Sequence, residues 1–188
     1  MLLKDKHVIL ASGSPRRIDI LRKDGVDFES ILPKCNEEIA LKLSPKQTVM
    51  ALALRKALSI GERDGLILAC DTVVVHDGKI IGKPKDEADA KRILTELNGK
   101  KHKVISGVAI IQIIPKITLV FSDETVVYFK CYSEADIDSY IATGEPMDKA
   151  GAYAIQGGFK KYIDHIEGDY DNVVGFPYEK IKDILSYL

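Results

Sequence analysis

Apolar and polar residues follow two different periods along this chain. Short apolar runs, typical of strands in α/β proteins, occur at residues 7–11, 28–32, 66–75, 79–81, 103–114 and 117–132. Amphipathic stretches that begin with a capping residue or an X-Pro step predict helices starting near Ser14, Ser44, Asp86, Ser133 and Phe176. The alternation of the two kinds of element predicts an α/β protein whose mixed, twisted sheet is flanked by helices.

Local signals support individual elements of this order. Asp77-Gly78, between two apolar runs, is typical of a tight hairpin turn. Asp136, three residues after Ser133, completes the pattern of a capping box. No repeat, low-complexity tract or Pro/Gly-rich linker interrupts the chain, so we expect one domain over residues 1–188 without an internal linker.

Composition narrows the class of protein. Of 188 residues, 46% are hydrophobic and 29% are charged, which supplies a full core and excludes a disordered chain or a coiled coil. The 27 Lys and Arg nearly balance the 28 Asp and Glu, giving a net charge of −1. A broad nucleic-acid surface needs a basic excess, so we expect no nucleic-acid partner.

Three observations predict a cytoplasmic location. Residues 1–6 lack the long apolar stretch and the cleavage site of a signal peptide. The longest uncharged apolar run, residues 104–115, is too short to cross a bilayer, so we expect no membrane partner. Cys35, Cys70 and Cys131 are odd in number and scattered, which is typical of reduced thiols rather than of a disulfide framework.

The segment 11–17, Ala-Ser-Gly-Ser-Pro-Arg-Arg, joins a small-residue turn to a helix N-terminus. The free N–H groups and the dipole of a helix N-terminus attract anions. Arg16 and Arg17 oppose that dipole unless an anion lies on the helix end, and arginine binds phosphate in a bidentate manner. We therefore predict a phosphate site that includes Ser12 and Ser14, with two solvated arginines and a plain cap as the alternative.

A single carboxylate, Asp71, interrupts the apolar run 66–75. In a strand that is buried on both faces, an ionised carboxylate is costly unless a cation, a metal or several hydrogen bonds meet it. Such groups concentrate at reactive sites, so we predict a functional role for Asp71. The alternative is a structural salt bridge to a lysine on a helix.

Two lysines and one glutamate complete the candidate phosphate and metal site. Lys56 lies on or beside the apolar face of its helix, and Lys83 lies between Gly82 and Pro84 just after a strand. With the arginines they would supply four cations for a polyphosphate, although each could be a surface lysine with a buried stem. Glu37 could join Asp71 in holding a divalent metal, since paired carboxylates with substrate phosphates usually hold Mg²⁺. The alternative for Glu37 is a solvated acidic loop.

A glycine-rich segment, residues 143–158, is long for a connection in a compact domain. Gln156 lies there between Ile155 and Gly157-Gly158. Its side-chain amide offers both a donor and an acceptor and is well suited to contact the edge of a base. A plain structural turn is the alternative.

These motifs together resemble the Maf family, also called septum formation inhibitor Maf. The resemblance extends from about residue 8 to the C-terminal helix. It rests on six blocks of sequence: Ile-Leu-Ala-Ser-Gly-Ser-Pro-Arg-Arg at 9–17, Ala-Cys-Asp-Thr-Val-Val at 69–74, Gly-Lys-Pro at 82–84, Leu-Asn-Gly-Lys-Lys-His-Lys-Val at 97–104, the segment from Gly-Glu-Pro at 144–146 to Gln-Gly at 156–157, and Asn-Val-Val-Gly-Phe-Pro at 172–177.

The resemblance implies an ITPase-like architecture with two lobes, a deep cleft between them and frequent dimers. It implies hydrolysis of a nucleoside triphosphate to the monophosphate and pyrophosphate with Mg²⁺ or Mn²⁺. The stretch 149–157 is similar to the branch selective for dTTP and UTP. By that resemblance Asp71 is the catalytic proton acceptor, and Arg16, Thr72 and Gln156 are specificity positions.

One position departs from the family pattern, and two functions remain as alternatives. The family usually has Asp-Glu where this chain has Asn36-Glu37, so only Glu37 keeps the matching carboxylate. A sibling branch of the family prefers 7-methyl-GTP. A non-catalytic nucleotide-binding regulator of cell division is the alternative from a different class, and such a regulator has no need of a desolvated base at Asp71.

Overall fold

The computed structural model describes residues 3–187; the predicted features that involve Met1, Leu2 and Leu188 lie outside the described residues. Its strands are β1 Val8–Leu10, β2 Phe28–Ser30, β3 Leu66–His76, β4 Lys79–Ile81, β5 Lys101–Gln112, β6 Ile117–Phe129 and β7 Ile163–Glu167. Its helices are α1 Pro15–Lys23, α2 Pro45–Leu58, α3 Glu87–Leu97, α4 Glu134–Ile141, α5 Tyr170–Val174 and α6 Tyr178–Ser186.

The strands form one seven-stranded sheet in the order β2-β1-β3-β5-β6-β7, with β4 paired to β3. Strand β1 runs parallel to β2 and to β3, whereas β4 is antiparallel to β3 and β7 is antiparallel to β6. The predicted mixed α/β fold with a sheet flanked by helices is therefore confirmed.

The described chain divides into two compact units. The first comprises the residues up to Asp71, the segment Ser106–Asp123 and the residues from Gly175 onward, and the second comprises Thr72–Ile105 and Glu124–Val174. In the first unit, apolar side chains of β1 and β3 pack with Ala53 and Ala57 of α2. In the second unit, α3 and α4 contribute to a core rich in aromatic residues, with Phe159 fully buried.

Several predicted turns and caps are present as expected. Asp77 and Gly78 both have positive φ, at 47° and 74°, as a two-residue hairpin turn between β3 and β4 requires. Helix α4 begins with the predicted capping box, in which Ser133 and Asp136 exchange side-chain to backbone hydrogen bonds. These elements depend on neighbours in sequence, which is why local pattern predicts them.

Other elements differ from the prediction. Strand β6 ends at Phe129 rather than at Tyr132. The Asn98 side chain donates from Nδ2 to the Tyr132 carbonyl at 2.8 Å, and its Oδ1 accepts the Tyr132 N–H at 2.9 Å. A side chain, rather than a neighbouring strand, therefore satisfies both backbone groups of Tyr132. Strand β7 and helix α5 lie between α4 and α6, where the sequence pattern predicted no helix or strand. Short 3-10 turns occupy much of the segment 145–162.

Among residues 3–187, no helix combines the length and apolar character needed to cross a membrane.

Candidate active site

The turn between β1 and α1 is built around the Ser12 hydroxyl. Ser12 is buried, and its Oγ accepts hydrogen bonds from the Ser14 backbone N–H at 3.1 Å and from Arg17 Nη1 at 3.2 Å. Pro15 occupies the first helical position, where its missing N–H costs no hydrogen bond. The small-residue turn therefore leads into a helix start of fixed geometry.

The first turn of α1 keeps the features expected of an anion site. Ser14 is at the N-cap position, but within the described chain its hydroxyl makes no capping hydrogen bond. Arg16 follows in the first turn and is half-buried. The N-terminal end of the helix dipole favours an anion here. Binding of phosphate by Ser14 and Arg16 stays a prediction.

Arg17 has a further role that the sequence analysis missed. Its Nε donates to the Gly175 carbonyl at 2.8 Å, and its Nη1 donates to the Cys70 carbonyl at 2.7 Å. Because Cys70 precedes Asp71, the second bond joins the start of α1 to the strand backbone next to the candidate catalytic residue. Arg17 thus joins three chain segments of the first unit, and its phosphate role stays a prediction.

Asp71 meets a lysine of α2. Lys56 Nζ lies 2.6 Å from Asp71 Oδ1 and 3.2 Å from Glu37 Oε1. Burial lowers the pKa of Lys56, but the attraction and hydrogen bonds of Asp71 and Glu37 outweigh it, so the pKa is raised above the usual value for lysine. The ammonium is therefore a permanent positive charge shared by two carboxylates.

One expectation changes at this cluster. Asp71 is not fully buried: it and Thr72 are the half-buried pair in the otherwise buried strand β3, and the Asp71 side chain is 13% exposed. Lys56 contacts the two carboxylates, and its role on phosphate oxygens stays a prediction. The salt bridge between Asp71 and a helix lysine, the alternative for Asp71, is present. It does not exclude a functional role, since the group stays partly open to solvent.

The loop that carries Glu37 is held by Arg55, the residue before Lys56. Arg55 Nη1 donates to the carbonyl oxygens of Asn36 at 3.3 Å and of Glu38 at 2.6 Å. The Asn36 side chain accepts the Glu38 backbone N–H at 2.8 Å, so Asn36 contributes a turn at this position. Because these partners of Arg55 are backbone oxygens, the residue types in the loop did not predict the contact.

Glu37 and Asp71 fit a hard divalent cation. Their carboxylate oxygens converge on one nitrogen, and oxygen donors of this kind suit Mg²⁺ or Mn²⁺. Within residues 3–187, no group of three or more His, Cys, Asp or Glu side chains is arranged to hold a metal ion. A cation at this pair would thus take its remaining ligands from water and from substrate phosphates, as Mg²⁺ commonly does.

The remaining predicted residues belong to the second unit. Thr72 directly follows Asp71, and Lys83 is exposed just after β4. The Gly82 carbonyl before Lys83 accepts the Gly151 N–H at 3.0 Å, which joins this segment to the glycine-rich one. Gln156 is exposed in a turn closed by a 3.2 Å bond from the Gly157 N–H to the Ala154 carbonyl. Substrate binding by these three side chains stays a prediction.

This chain is similar to a family model and to curated proteins over nearly its whole length. A family model described as Maf-like protein matches residues 7–188. A dTTP/UTP pyrophosphatase from Dictyoglomus thermophilum is 48% identical over 186 residues, covering 97% of this chain and 96% of the relative. A dTTP/UTP pyrophosphatase from Bacillus cereus is 46% identical over 178 residues, covering 94% and 87%.

The solved structure of a HAM1 protein from Coxiella burnetii shares the fold. It superposes with a TM-score of 0.50 at 14% identity, and the match covers 97% of this chain and 99% of the HAM1 chain. The family model spans nearly all of the chain, and the relatives exceed two fifths identity over almost their full length. This chain therefore belongs to the Maf family.

Proposed function

We propose that this protein is a nucleoside triphosphate pyrophosphatase that hydrolyses dTTP and UTP to the monophosphate and pyrophosphate. The observation that supports the proposal is the bond between Arg17 and the Cys70 carbonyl, which joins the start of α1 to the backbone next to Asp71. Relatives named dTTP/UTP pyrophosphatase support the choice of nucleotides.

The α1 start binds the triphosphate in this proposal. Backbone N–H groups of the first turn and the Arg16 guanidinium meet phosphate oxygens, and the helix dipole adds to the attraction. Ser12 and Arg17 hold the turn in position. Lys83 supplies a further positive charge for the triphosphate in this proposal.

Asp71 acts as general base on a water molecule. Its carboxylate accepts a proton from the water as the water oxygen attacks the α-phosphorus. The bond between the α-phosphorus and the bridging oxygen breaks, and pyrophosphate leaves with that oxygen. General-base help of this kind contributes about 10²- to 10⁴-fold to the rate. Lys56 holds the Asp71 carboxylate in position before the reaction.

Glu37 and Asp71 would hold Mg²⁺ or Mn²⁺. When bound, the cation supplies charge neutralisation for the leaving pyrophosphate. Glu37 is the more exposed of the two ligands, with 59% of its side chain accessible, and Arg55 holds its loop.

Base choice in this proposal depends on Gln156, together with Arg16 and Thr72. The amide of Gln156 hydrogen-bonds the edge of uracil or thymine. A site that pairs its own polar groups with a substrate group discriminates strongly, because a wrong base leaves those groups unpaired.

A pyrophosphate-release assay over the common nucleoside triphosphates and 7-methyl-GTP, with Mg²⁺ or Mn²⁺ present, tests the proposal. We expect dTTP and UTP to give the highest kcat/KM. The Asp71→Asn variant should lose about 10²- to 10⁴-fold in kcat while nucleotide affinity changes by a few-fold at most. A preference for 7-methyl-GTP, nucleotide binding without any product, or full turnover by Asp71→Asn would contradict the proposal.

A further inference from the structure

The backbone on both sides of Glu37 is held by side chains that have no charge or ligand role of their own in the proposed function. Arg55 Nη1 donates to the carbonyl oxygen of Asn36 at 3.3 Å and to that of Glu38 at 2.6 Å. The Asn36 side chain closes a turn across Glu37, since its Oδ1 accepts the Glu38 backbone N–H at 2.8 Å. The two neighbours of Glu37 are therefore fixed, while its carboxylate remains available for other contacts.

The loop depends on these polar contacts because it borders open space. Residues 31–44, between β2 and α2, contain no helix or strand. A cavity of about 530 Å³ lies beside the loop and is lined by Cys35, Asn36, Glu38, Arg55, Leu58 and Ser59. Since open space rather than packed side chains adjoins the loop there, hydrogen bonds set the position of its backbone.

The helix that supplies Arg55 is a firm base for the loop. Ala53 and Ala57 of α2 are fully buried in a cluster with residues of β1 and β3. Arg55 is exposed, and the next residue, Lys56, places its Nζ 3.2 Å from Glu37 Oε1. Two successive side chains of one packed helix thus hold the same loop, the first by its backbone and the second by the Glu37 carboxylate.

The turn also explains the residue type at position 36. It needs an oxygen acceptor two residues before the Glu38 N–H, and the amide of Asn and the carboxylate of Asp both supply one. Asn36 therefore replaces the Asp of the family pattern without loss of the turn. The charge of an aspartate is not needed for this contact.

A fixed loop lowers the cost of binding a cation. The Glu37 side chain is 59% exposed, so it must lose conformational freedom when it binds a metal. A backbone that is already in place removes part of that cost, and side chains that orient metal ligands commonly affect metal affinity. Lys56 also lies 2.6 Å from Asp71 Oδ1, so the fixed loop brings Glu37 to the same ammonium as Asp71.

We propose that Arg55 and Asn36 are positioning residues for cation binding, which hold the backbone around Glu37 so that its carboxylate stays close to Asp71. The inference rests on the proposed function, in which Glu37 and Asp71 hold Mg²⁺ or Mn²⁺. Neither Arg55 nor Asn36 needs to touch the cation. Position 36 is a turn position in this chain, not a metal ligand.

Charge and positioning predict opposite effects of removing Arg55. Loss of a positive charge near a cation site reduces repulsion and would tighten cation binding. Loss of the two hydrogen bonds frees the loop and would weaken cation binding. Arg55→Met removes both the charge and the hydrogen bonds, so the direction of the change in affinity shows which effect dominates. We expect weaker binding.

The test measures Mn²⁺ binding to the full chain without nucleotide, from the electron paramagnetic resonance signal of free Mn²⁺. Arg55→Met and Asn36→Ala should each raise the dissociation constant of Mn²⁺ by about 3- to 10-fold, the effect of one hydrogen bond. Asn36→Asp keeps the acceptor and should bind Mn²⁺ at least as tightly as the wild type. Arg63→Met is the matched control, because Arg63 is an exposed arginine of the same unit whose ion pair, at 3.7 Å, is with Glu29 of β2.

A double variant shows whether Arg55 acts through Glu37. In the Glu37→Ala background, Arg55→Met should bind Mn²⁺ no more weakly than Glu37→Ala alone, because no carboxylate remains to position. In a second measurement, the Mn²⁺ concentration that gives half-maximal pyrophosphate release should rise in Arg55→Met, while kcat at saturating Mn²⁺ stays close to that of the wild type.

Three results would overturn the inference while leaving the proposed function intact. These are unchanged or tighter Mn²⁺ binding in Arg55→Met, an equal weakening in Arg63→Met, and a tightening of more than about 10-fold in Asn36→Asp, which would make position 36 a direct ligand. Failure of the wild type to bind Mn²⁺, or to release pyrophosphate from UTP and dTTP, would instead contradict the proposed function and the inference with it.

Discussion

The Lys56 ammonium lies 2.6 Å from Asp71 Oδ1, and both side chains are nearly buried, with 11% and 13% of their surface exposed. The same ammonium lies 3.2 Å from Glu37 Oε1, so one lysine pairs with the two carboxylates to which we assign base and metal roles. In the absence of substrate this pairing holds both carboxylates close together. We infer that Lys56 positions the two carboxylates, in addition to its predicted contact with phosphate.

The pair should show strong energetic coupling. Removing one partner leaves the other charge poorly compensated, which costs up to about 3–5 kcal/mol at buried sites. We expect Lys56→Met and Asp71→Asn each to lower the free energy of unfolding, and the double variant to lose less than the sum of the two. Urea denaturation of the four proteins gives the coupling energy. Additive losses would show that the two side chains do not interact in solution.

Arg17 should matter more for stability than its position at a helix start suggests. Its bonds to the Gly175 and Cys70 carbonyls are charge-assisted, and hydrogen bonds to charged groups contribute about 1.5–3 kcal/mol each. Arg17→Ala should lower the midpoint of thermal unfolding markedly, and Arg17→Lys should not restore it, because lysine lacks the planar fork. Arg22→Ala, an exposed arginine of the same helix, is the control and should have little effect.

His102 should make the stability of the protein depend on pH. Burial, with a smaller contribution from His76, lowers its pKa from 6.5 to about 3, and its Nε2 is bonded to the Tyr153 hydroxyl at 2.8 Å. Between these pH values only the unfolded chain takes up this proton, so stability is complete above pH 6.5 and is lost as pH falls toward 3. The slope reaches about 1.4 kcal/mol per pH unit.

The His102→Gln variant isolates this contribution, since its amide can keep a hydrogen bond to Tyr153 without titrating. Urea denaturation at several pH values from 7 to 4 should show a smaller loss of unfolding free energy in the variant than in the wild type. Parallel curves would mean that His102 does not resist protonation in the folded state.

Gly107 should tolerate no side chain. A Cβ there would overlap the backbone carbonyl group of Val49 in α2, where β5 and the helix approach each other within the first unit. Backbone cannot move aside as a flexible side chain can, so Gly107→Ala should cost about 1–3 kcal/mol or more. Gly82→Ala is the control, because within residues 3–187 no heavy atom apart from those of its chain neighbours lies within 4 Å of a Cβ there. Equal thermal midpoints for the two variants would contradict the close packing of helix and strand.

The sequence by itself determined the elements that rest on local physics. The Asp77-Gly78 turn needs two residues that accept positive φ, and the Ser133 capping box needs only residues three positions apart. The apolar periods predicted a mixed α/β fold, and the quoted motifs identified the Maf family, both of which the structure and the relatives confirm.

Only the tertiary structure decided which partners the charged side chains have. The apolar pattern of β3 left both a metal and a lysine as candidate partners of Asp71. The packing of α2 brings Lys56 into contact with it. The Arg17 partner Gly175 lies 158 positions away along the chain. Its contact is made by a backbone carbonyl, so the residue type at that position does not predict it. Strand β7, whose residues are mostly polar, forms because β6 offers it an edge. Long-range contacts of this kind depend on how the whole chain packs, which no local pattern contains.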